Sequence, residues 1–487
     1  MAILGRFQGG TVSIVPTTTF AVPTSDLFNS GTPARNDGGA YSLNSSARLT
    51  LPSSDLADGY MLIARVKYAD TSNGRVSIAG RFQQTGGTGN FVNFQHGTYS
   101  RNTENDETTV NCVAFVDNPS ASATFDFQWE HESDAPTGGT TRSIIDVIPF
   151  FYSDIGMYTG SALSLLGGTT RNVVTIGATV LEGTNITRST NIVTVTGDNK
   201  RYMVLSGQWY QDRGEPSATR TQRIFGHDYD GSADLATQSY AQYRQATADG
   251  TGGIIHDIIE TVTASRTIEM TCYRGDGVAN GDGGADLDGQ APSQAVTGLV
   301  VIELNDSAEV FRRHDATGLQ ALDSASPLDI NAARTNDFTD SASWVVVGTV
   351  GMENNSGAEF DALTGTNVWA ASTSVTIDLR GSYQANITVD GVEDADLFQY
   401  NYIRGSQGFE DTFGWAANPV GFVALSDNTD LGVSVTQLGP DLHQTDTQAG
   451  TVGFWGINLD TMSAAVAANP KGPLGMPLHG ALAGPIG

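Results

Sequence analysis

The chain has 487 residues, a length that suggests about three or four domains and that can bury apolar cores without disulfides or metals. Its 57 glycines and its many Thr, Ser, Asn and Asp residues predict an all-β protein rich in turns. The net charge of −28 argues against a nucleic-acid partner, and no apolar run is long enough to cross a bilayer, so we expect neither nucleic-acid binding nor membrane insertion.

The segment before the first acidic residue, Asp26, contains the apolar residues Ile3 and Phe7 and is interrupted by Pro16 and Pro23. Such a segment cannot build a core of its own. We predict that it is a front arm that docks on another surface, with Ile3 and Phe7 as partner-binding residues. The alternative is that the arm packs on the chain's own domains. No basic leader followed by an apolar stretch begins the sequence, so no signal peptide is expected.

A pattern of strands occurs three times along the chain. Each copy has an early apolar strand that opens on an aromatic residue, at Tyr60, Tyr202 and Trp344, and these openings are 142 residues apart on both occasions. Each copy also ends on an apolar closing strand, at residues 143–147, 298–304 and 453–459. Alternation with a period of two is typical of half-buried antiparallel strands. Order and residue character together predict an internal repeat.

The repeat makes a prediction about burial. The residues that follow the aromatic openings are Met61, Met203 and Val345. Because neighbouring residues of a strand point to opposite sides, one of the two sets should be buried in all three copies. The third copy is longer, and its extra chain is predicted to form a loop between Asn354 and Thr373.

The number and spacing of the strand-like segments predict the fold class: all-β, with antiparallel jelly-roll β-sandwich domains in tandem and extended N- and C-terminal arms. The three domains are predicted at residues 1–152, 153–310 and 311–462. An aromatic-led early strand and a closing strand such as Gly298 to Leu304 resemble the tumour-necrosis-factor-like jelly roll of complement-type globular heads, which is also present on virion surface proteins of tailed phages. Residues 201–306 bear the resemblance best. It implies association in threes; a lectin-like jelly roll is the alternative.

The glycine-rich segment 276–289 contains four aspartates, Asp276, Asp282, Asp286 and Asp288. Calcium prefers oxygen ligands from flexible loops of this kind. The run departs from the helix–loop–helix calcium pattern, since Gly284 stands at the first ligand position. We state a calcium site as a hypothesis, with a solvated loop as the alternative, and expect no other cofactor. Cys112 and Cys272 lie in apolar alternating runs and are interpreted as two buried free thiols.

The last acidic residue is Asp460, and the segment 463–487 is rich in Gly, Pro and Leu. Its apolar side chains have no acid beside them, and its prolines hold the chain extended. We predict a C-terminal docking tail at residues 463–487. The partner-binding residues of this tail are predicted to be Leu474, Met476, Leu478 and Ile486.

No nucleophile elbow, zinc-protease helix, phosphate-binding loop or paired-cysteine metal spacing occurs in the sequence. We therefore predict a non-enzymatic virion structural protein of a tailed phage or similar virus: a capsid decoration, head fibre or spike, made in the host cytoplasm and anchored on the virion surface by its arms. The expected partners are copies of itself, as a trimer, and a major capsid or tail protein. A receptor- or glycan-binding adhesin is the first alternative, and a glycan-active enzyme, which needs only two carboxylates brought together by the fold, is the second.

Overall fold

The computed structural model describes most of the chain between residues 3 and 462. The segments outside the described residues are 1–2, 53–55, 71–74, 97, 102–106, 121, 132–134, 162, 166–170, 213–221, 243–249, 261–264, 275–284, 288–296, 316–327, 334–340, 354–359, 362–365, 368–379, 405–413, 427–428, 430, 439–445 and 463–487. The C-terminal tail and most of the predicted loop between Asn354 and Thr373 therefore lie outside the described residues.

The first pair of sheets, sandwich 1, covers residues 5–150. Its strands are β1 (Gly5–Gly9), β2 (Arg35–Asn36), β3 (Ser42–Leu43), β4 (Arg48–Thr50), β5 (Gly59–Asp70), β6 (Arg75–Gly86), β7 (Asn90–His96), β8 (Thr98–Arg101), β9 (Glu107–Asp117), β10 (Thr124–His131) and β11 (Gly138–Phe150). They form one sheet of order β2-β1-β11-β5-β9-β7 and another of order β3-β4-β10-β6-β8. A short 3-10 helix, Asp37–Gly39, follows β2.

The second pair, sandwich 2, covers residues 152–304. Its strands are β12 (Tyr152–Gly160), β13 (Leu163–Leu165), β14 (Asn172–Val173), β15 (Ile176–Leu181), β16 (Ile186–Ser189), β17 (Ile192–Thr196), β18 (Arg201–Asp212), β19 (Gln222–Tyr229), β20 (Ser232–Gln242), β21 (Gly250–Glu260), β22 (Ser265–Arg274), β23 (Ala285–Leu287) and β24 (Gly298–Leu304). One sheet has the order β13-β23-β18-β24-β12-β15, with β21 also on β18, and the other has the order β16-β17-β22-β19-β20, with β14 also on β22.

The third pair, sandwich 3, covers residues 310–458. Its strands are β25 (Val310–Asp315), β26 (Leu328–Ala333), β27 (Ala342–Glu353), β28 (Phe360–Asp361), β29 (Thr366–Asn367), β30 (Arg380–Val389), β31 (Val392–Arg404), β32 (Gly414–Ala417), β33 (Val420–Leu425), β34 (Leu431–Leu438) and β35 (Asp446–Asn458). One sheet has the order β25-β35-β27-β32, with β33 also on β27, and the other has the order β26-β34-β30-β31, while β28 and β29 pair with each other. A single helical turn follows at residues 459–462.

The three sandwiches share one strand order. Each sandwich has one sheet that we call inner, and the inner sheets contain the strand orders β1-β11-β5-β9, β12-β24-β18-β21 and β25-β35-β27-β33. In each order the first strand of the sandwich pairs with its last strand, the last strand pairs with a middle strand, and the middle strand pairs with one further strand. The sheets that we call outer have the matching orders β4-β10-β6-β8, β17-β22-β19-β20 and β26-β34-β30-β31. The long strands pair antiparallel throughout these sheets. The all-β, antiparallel sandwich prediction is confirmed.

Two hairpins of the outer sheets turn on Asp-Gly. Asp230 and Gly231 join β19 to β20 with φ of 53° and 75°, and Asp390 and Gly391 join β30 to β31 with φ of 53° and 73°. Two consecutive left-handed residues make the type I′ turn whose twist matches that of the flanking strands. The same residue pair at the same place in two sandwiches supports their equivalence.

Both faces of the inner sheets are buried, and this explains the outcome of the burial prediction. Tyr60, Tyr202 and Trp344 are buried, as predicted for one set, but Met61, Met203 and Val345 are buried as well. In sandwich 2, Tyr202 and Val204 point into the sandwich's own core, whereas Met203 and Leu205 belong to an apolar cluster that includes residues of all three sandwiches. A sheet covered on both sides needs no polar face.

The sandwiches contact one another in a closed ring. Strand β7 of sandwich 1 packs on β18 and β21 of sandwich 2; β20 of sandwich 2 packs on β32 and β35 of sandwich 3; and β31 of sandwich 3 packs on β9 of sandwich 1. Strands β20 and β31 occupy the same place in the outer-sheet order, whereas β7 lies at the edge of the inner sheet of sandwich 1. Head-to-tail contacts of this kind close into a ring when the rotation between units allows it. The ring is formed here within one chain.

The front arm packs on its own sandwich, and this corrects the prediction that Ile3 and Phe7 bind a partner. Strand β1 pairs with β11, and Phe7 is 1 % exposed in the core. Ile3 is half-buried against the same core, and its carbonyl accepts a hydrogen bond of 2.6 Å from the Tyr41 hydroxyl. Further along, Ala21 bridges Trp129 at the outer sheet. An apolar segment gains most by burial on the nearest sheet edge, and its own sandwich offers one.

Candidate functional site

One register position of the inner sheets decides how the sandwiches meet. Across the pairing of first and last strands it is occupied by Arg6 and Asp146, by Met157 and Val300, and by Arg312 and Trp455. The last-strand members lie opposite Ile63, Leu205 and Val347 of the middle strands. The three pairs are therefore equivalent, and each faces a neighbouring sandwich.

The seam between sandwiches 1 and 3 is charged. Arg6 donates two hydrogen bonds to Asp146, from Nε to Oδ1 at 2.6 Å and from Nη2 to Oδ2 at 3.0 Å. Its Nη1 lies 3.2 Å from Oδ2 of Asp396 in sandwich 3. Its guanidinium lies 4.2 Å from the ring centroid of Phe422 and donates to the Phe422 carbonyl at 3.1 Å. Arg142 is a second partner of Asp396, with its Nε 2.9 Å from Oδ1. The planar guanidinium group of arginine suits this geometry, in which it binds a carboxylate with two nitrogens and stacks on an aromatic ring.

Arg65 extends the same cluster into the core. It is 1 % exposed; its Nη2 pairs with Asp146 Oδ2 at 2.5 Å, and its Nη1 donates to the carbonyl of Val420 in sandwich 3 at 2.5 Å. Burial alone would raise the pKa of Asp146, but the Arg6 and Arg65 guanidiniums hold that pKa below its ordinary value. Asp146 therefore stays ionised, and it ties two arginines to the seam.

The seam between sandwiches 2 and 3 also contains an arginine paired with an aspartate, but the aspartate stands at a different strand position. Arg312, equivalent to Arg6, donates to Asp257 of sandwich 2 at 2.9 and 3.3 Å. Trp455, equivalent to Asp146, donates through Nε1 to the carbonyl of His256 at 3.0 Å. The position equivalent to Asp257 in sandwich 3 is Gly421, where a Cβ would lie 3.2 Å from Asp146 Oδ2. Asp146, which binds Arg6, thus belongs to the same sandwich as its arginine, whereas Asp257, which binds Arg312, belongs to the facing sandwich.

At the equivalent register position the seam between sandwiches 1 and 2 is apolar. Phe94 of β7 is fully buried and lies over two glycines of sandwich 2. A Cβ at Gly207 would lie 2.7 Å from the Phe94 ring, and one at Gly298 would lie 3.4 Å from it. Met157 and Val300 complete the buried contact. The three seams are thus chemically different although the fold repeats.

A serine and a histidine lie at hydrogen-bond distance inside sandwich 2. Ser206 Oγ is 2.6 Å from Nε2 of His227, whose Nδ1 is 3.1 Å from the Tyr229 hydroxyl, and that hydroxyl donates to Asp257 at 2.8 Å. This order resembles a nucleophile, a base and an orienting acid. However, Ser206, His227 and Asp257 are fully buried, so no substrate reaches the Ser206 hydroxyl in this conformation. The relay joins the core of sandwich 2 to Arg312 of sandwich 3.

Sequence reasoning missed both the relay and the seam clusters. Ser206 interrupts the apolar face of β18, and His227 and Asp257 take inward positions in strands, which are signals of a polar core. The partners themselves were beyond sequence analysis, since Arg6 and Asp396 are 390 residues apart.

The predicted site residues fall mostly outside the described residues. Asp276, Asp282 and Asp288 do so, and so do the tail residues Leu474, Met476, Leu478 and Ile486. The backbone of Asp286 lies in β23, opposite Ser164 and Gln211. Within the described part of the chain, no group of three His, Cys, Asp or Glu side chains is arranged to hold a metal. The calcium hypothesis stays a prediction.

Two simpler expectations concern cysteines and membranes. Cys112 and Cys272 are free and buried, in different sandwiches, as predicted. Burial raises the pKa of the Cys112 thiol. Among the described residues, no helix combines the length and the apolar character that crossing a bilayer requires.

No family model matches the chain, and no curated protein is similar to it in sequence. Solved structures give weak likenesses to jelly-roll and sandwich proteins. Murine APRIL is 12% identical with a TM-score of 0.21, over 31% of this chain and 98% of that one. N-glycanase F is 9% identical with a TM-score of 0.25, over 61% and 96%, and PNGF-II is 9% identical with a TM-score of 0.23, over 82% and 98%. Likeness at this level supports no argument about function.

Proposed function

We propose that the chain is a non-enzymatic structural protein displayed on the surface of a virion, as a capsid decoration, head fibre or spike of a tailed phage or similar virus. The observation behind this proposal is the closed ring. The inner sheets and their charged residues are buried in contacts between the sandwiches, and the Ser206–His227 pair is buried in the core of sandwich 2. What remains outside is a preassembled acidic head.

The sequence of the tail supports attachment through residues 463–487. The four predicted partner-binding residues Leu474, Met476, Leu478 and Ile486 have no acid nearby in the sequence, and burying each stabilises a complex by about 1.5–3 kcal/mol before ordering is counted. Because the front arm packs on sandwich 1, the proposed anchor is the tail alone. Several chains on one particle would multiply the effect.

Deleting residues 463–487 tests the proposal. We expect the truncated protein to melt at the same temperature as the full chain, because the ring lies within residues 3–462, and to be lost from purified particles. The matched control replaces the tail by a Gly/Ser segment of equal length. Normal incorporation of the truncated protein, or its unfolding, would show that the tail is not an anchor.

A second candidate function is a receptor- or glycan-binding adhesin. The observation that favours it is an open cleft of uncharged residues between sandwiches 1 and 2, centred on the turn from β6 to β7. Binding at this cleft and attachment through the tail are compatible, because they use different parts of the chain.

A further inference from the structure

A cleft of about 480 Å³ opens where the turn between β6 and β7 faces Val180 of β15 in sandwich 2. Its lining includes Gln83, Gln84, Asn90 and Phe91. None of these side chains carries a charge, although the chain as a whole has a net charge of −28. The cleft is therefore a neutral patch of an acidic protein.

One polar group of the cleft, the amide of Asn90, is held in place from behind. Asn90 Nδ2 donates to Oδ2 of the buried Asp117 at 2.8 Å, and Asp117 also accepts from the Tyr152 hydroxyl. This contact uses the amide nitrogen of Asn90, so its Oδ1 is available as an acceptor. Gln84 donates only a long hydrogen bond of 3.5 Å to the Gly87 carbonyl. Donors and acceptors of both kinds thus face the opening.

The apolar part of the cleft is rigid. The Phe91 ring is half-buried and packs on Phe125 with centroids 5.3 Å apart and planes inclined by 36°. Val180 adds an aliphatic surface from sandwich 2. A fixed aromatic ring beside oriented amides provides both an apolar contact and directional hydrogen bonds.

We infer that this cleft binds a neutral oligosaccharide. A sugar ring presents hydroxyl groups that both donate and accept, which amides match, and an apolar C–H face, which an aromatic ring covers. A sialylated or phosphorylated glycan would bring negative charge to a lining without a cationic side chain and would be disfavoured. The site rests on contacts within residues 83–180 and does not depend on the tail or on attachment to a particle.

The test uses the full-length chain on an array of neutral and sialylated oligosaccharides, followed by calorimetric titration with the strongest neutral one. Gln84→Ala, Asn90→Ala and Phe91→Ala should each weaken binding roughly tenfold, the loss expected for about one contact. Thr179→Ala is the matched control, because Thr179 is exposed on β15 beside Val180 but outside the cleft, and it should leave affinity unchanged.

The thermal melting of each variant shows whether it is folded. The inference is overturned if no neutral oligosaccharide binds, if sialylated ones bind better, or if folded cleft variants bind as well as the unaltered chain. Particle attachment of the same variants separates this result from the proposed function: cleft variants should still be incorporated, and the tail-deleted chain should still bind the oligosaccharide.

Discussion

Asp146 is the residue on which the seam between sandwiches 1 and 3 depends. It is fully buried and holds Arg6 and Arg65, while no peptide connection joins these two sandwiches directly. Removing one partner of a buried pair leaves an uncompensated charge.

We predict that Asp146→Asn lowers the free energy of unfolding by about 3–5 kcal/mol, as measured by urea denaturation. The control is the pair of Arg266 with Asp230, in which the Asp230 side chain is 53% exposed. Because solvent screens that pair, Arg266→Met should cost no more than about 1 kcal/mol. Equal effects of the two substitutions would show that the buried cluster is not special.

His256 predicts a pH dependence. It is 1 % exposed, and neither ring nitrogen has a hydrogen-bond partner among the described residues. Burial and the nearby His227 lower the pKa of His256 to about 3. Since an unfolded histidine titrates near about 6.5, the unfolded state takes up the proton first, and stability falls as the pH drops below that value.

Between pH 7 and pH 5 this loss should amount to about 2 kcal/mol. His256→Leu should remove that part of the dependence, so the free energy of unfolding of the unaltered protein, relative to that of the variant, should fall by about 2 kcal/mol between pH 7 and pH 5. Glu130 acts in the opposite sense, because burial raises its pKa to about 7 although the charge of Arg81 opposes the rise. The comparison is therefore made between proteins, by urea denaturation at each pH. Parallel profiles would contradict the role of His256.

At the scale of elements, strands were predictable where their pattern is local. The closing strand Gly298–Leu304 was expected as an apolar strand, and it is buried along its whole length. Its apolar residues Leu299 to Ile302 follow one another without alternation, which is typical of a strand covered on both faces. What covers the second face was not predictable, because alternation describes one strand and not its neighbours in space. The front arm was misjudged for the same reason: its apolar residues and its lack of acidic residues indicate burial but not on which surface.

Strand β7 fits on sandwich 2 because β18 has a glycine beneath Phe94. Gly207→Val should destabilise the protein by about 1–3 kcal/mol through overpacking, and Phe94→Ala by about 3–5 kcal/mol through the cavity it leaves. The two changes together should cost less than their sum, since they share one contact. Gly10→Ala is the control, because nothing lies within 4 Å of a Cβ there. If the two changes in the free energy of unfolding, measured by chemical denaturation, were strictly additive, Gly207 and Phe94 would not share a contact.

The whole molecule is one ring in which sandwich 3 touches both of the others. Its contacts include Arg65 with the Val420 carbonyl on one side and Trp455 with the His256 carbonyl on the other. The inner faces through which sandwiches would associate are thus occupied within the chain. Association between chains, if the expected trimer forms, must use another surface, and the tail-deleted chain should have the mass of one chain in light scattering.

The ring makes a sharper prediction about a cut chain. A protease site placed at Asp306–Ser307, between sandwiches 2 and 3, lies at an exposed turn, where the Asp306 side chain is 79% exposed. After cleavage the two fragments should elute together in gel filtration, because the seams on both sides of sandwich 3 bury an apolar cluster shared by all three sandwiches. Under denaturing electrophoresis they should separate, which confirms the cut. Adding Asp146→Asn should loosen the seam with sandwich 1 and release the fragments at lower urea. If the cleaved, otherwise unaltered protein elutes as two species, the sandwiches are independent beads and the closed ring is wrong.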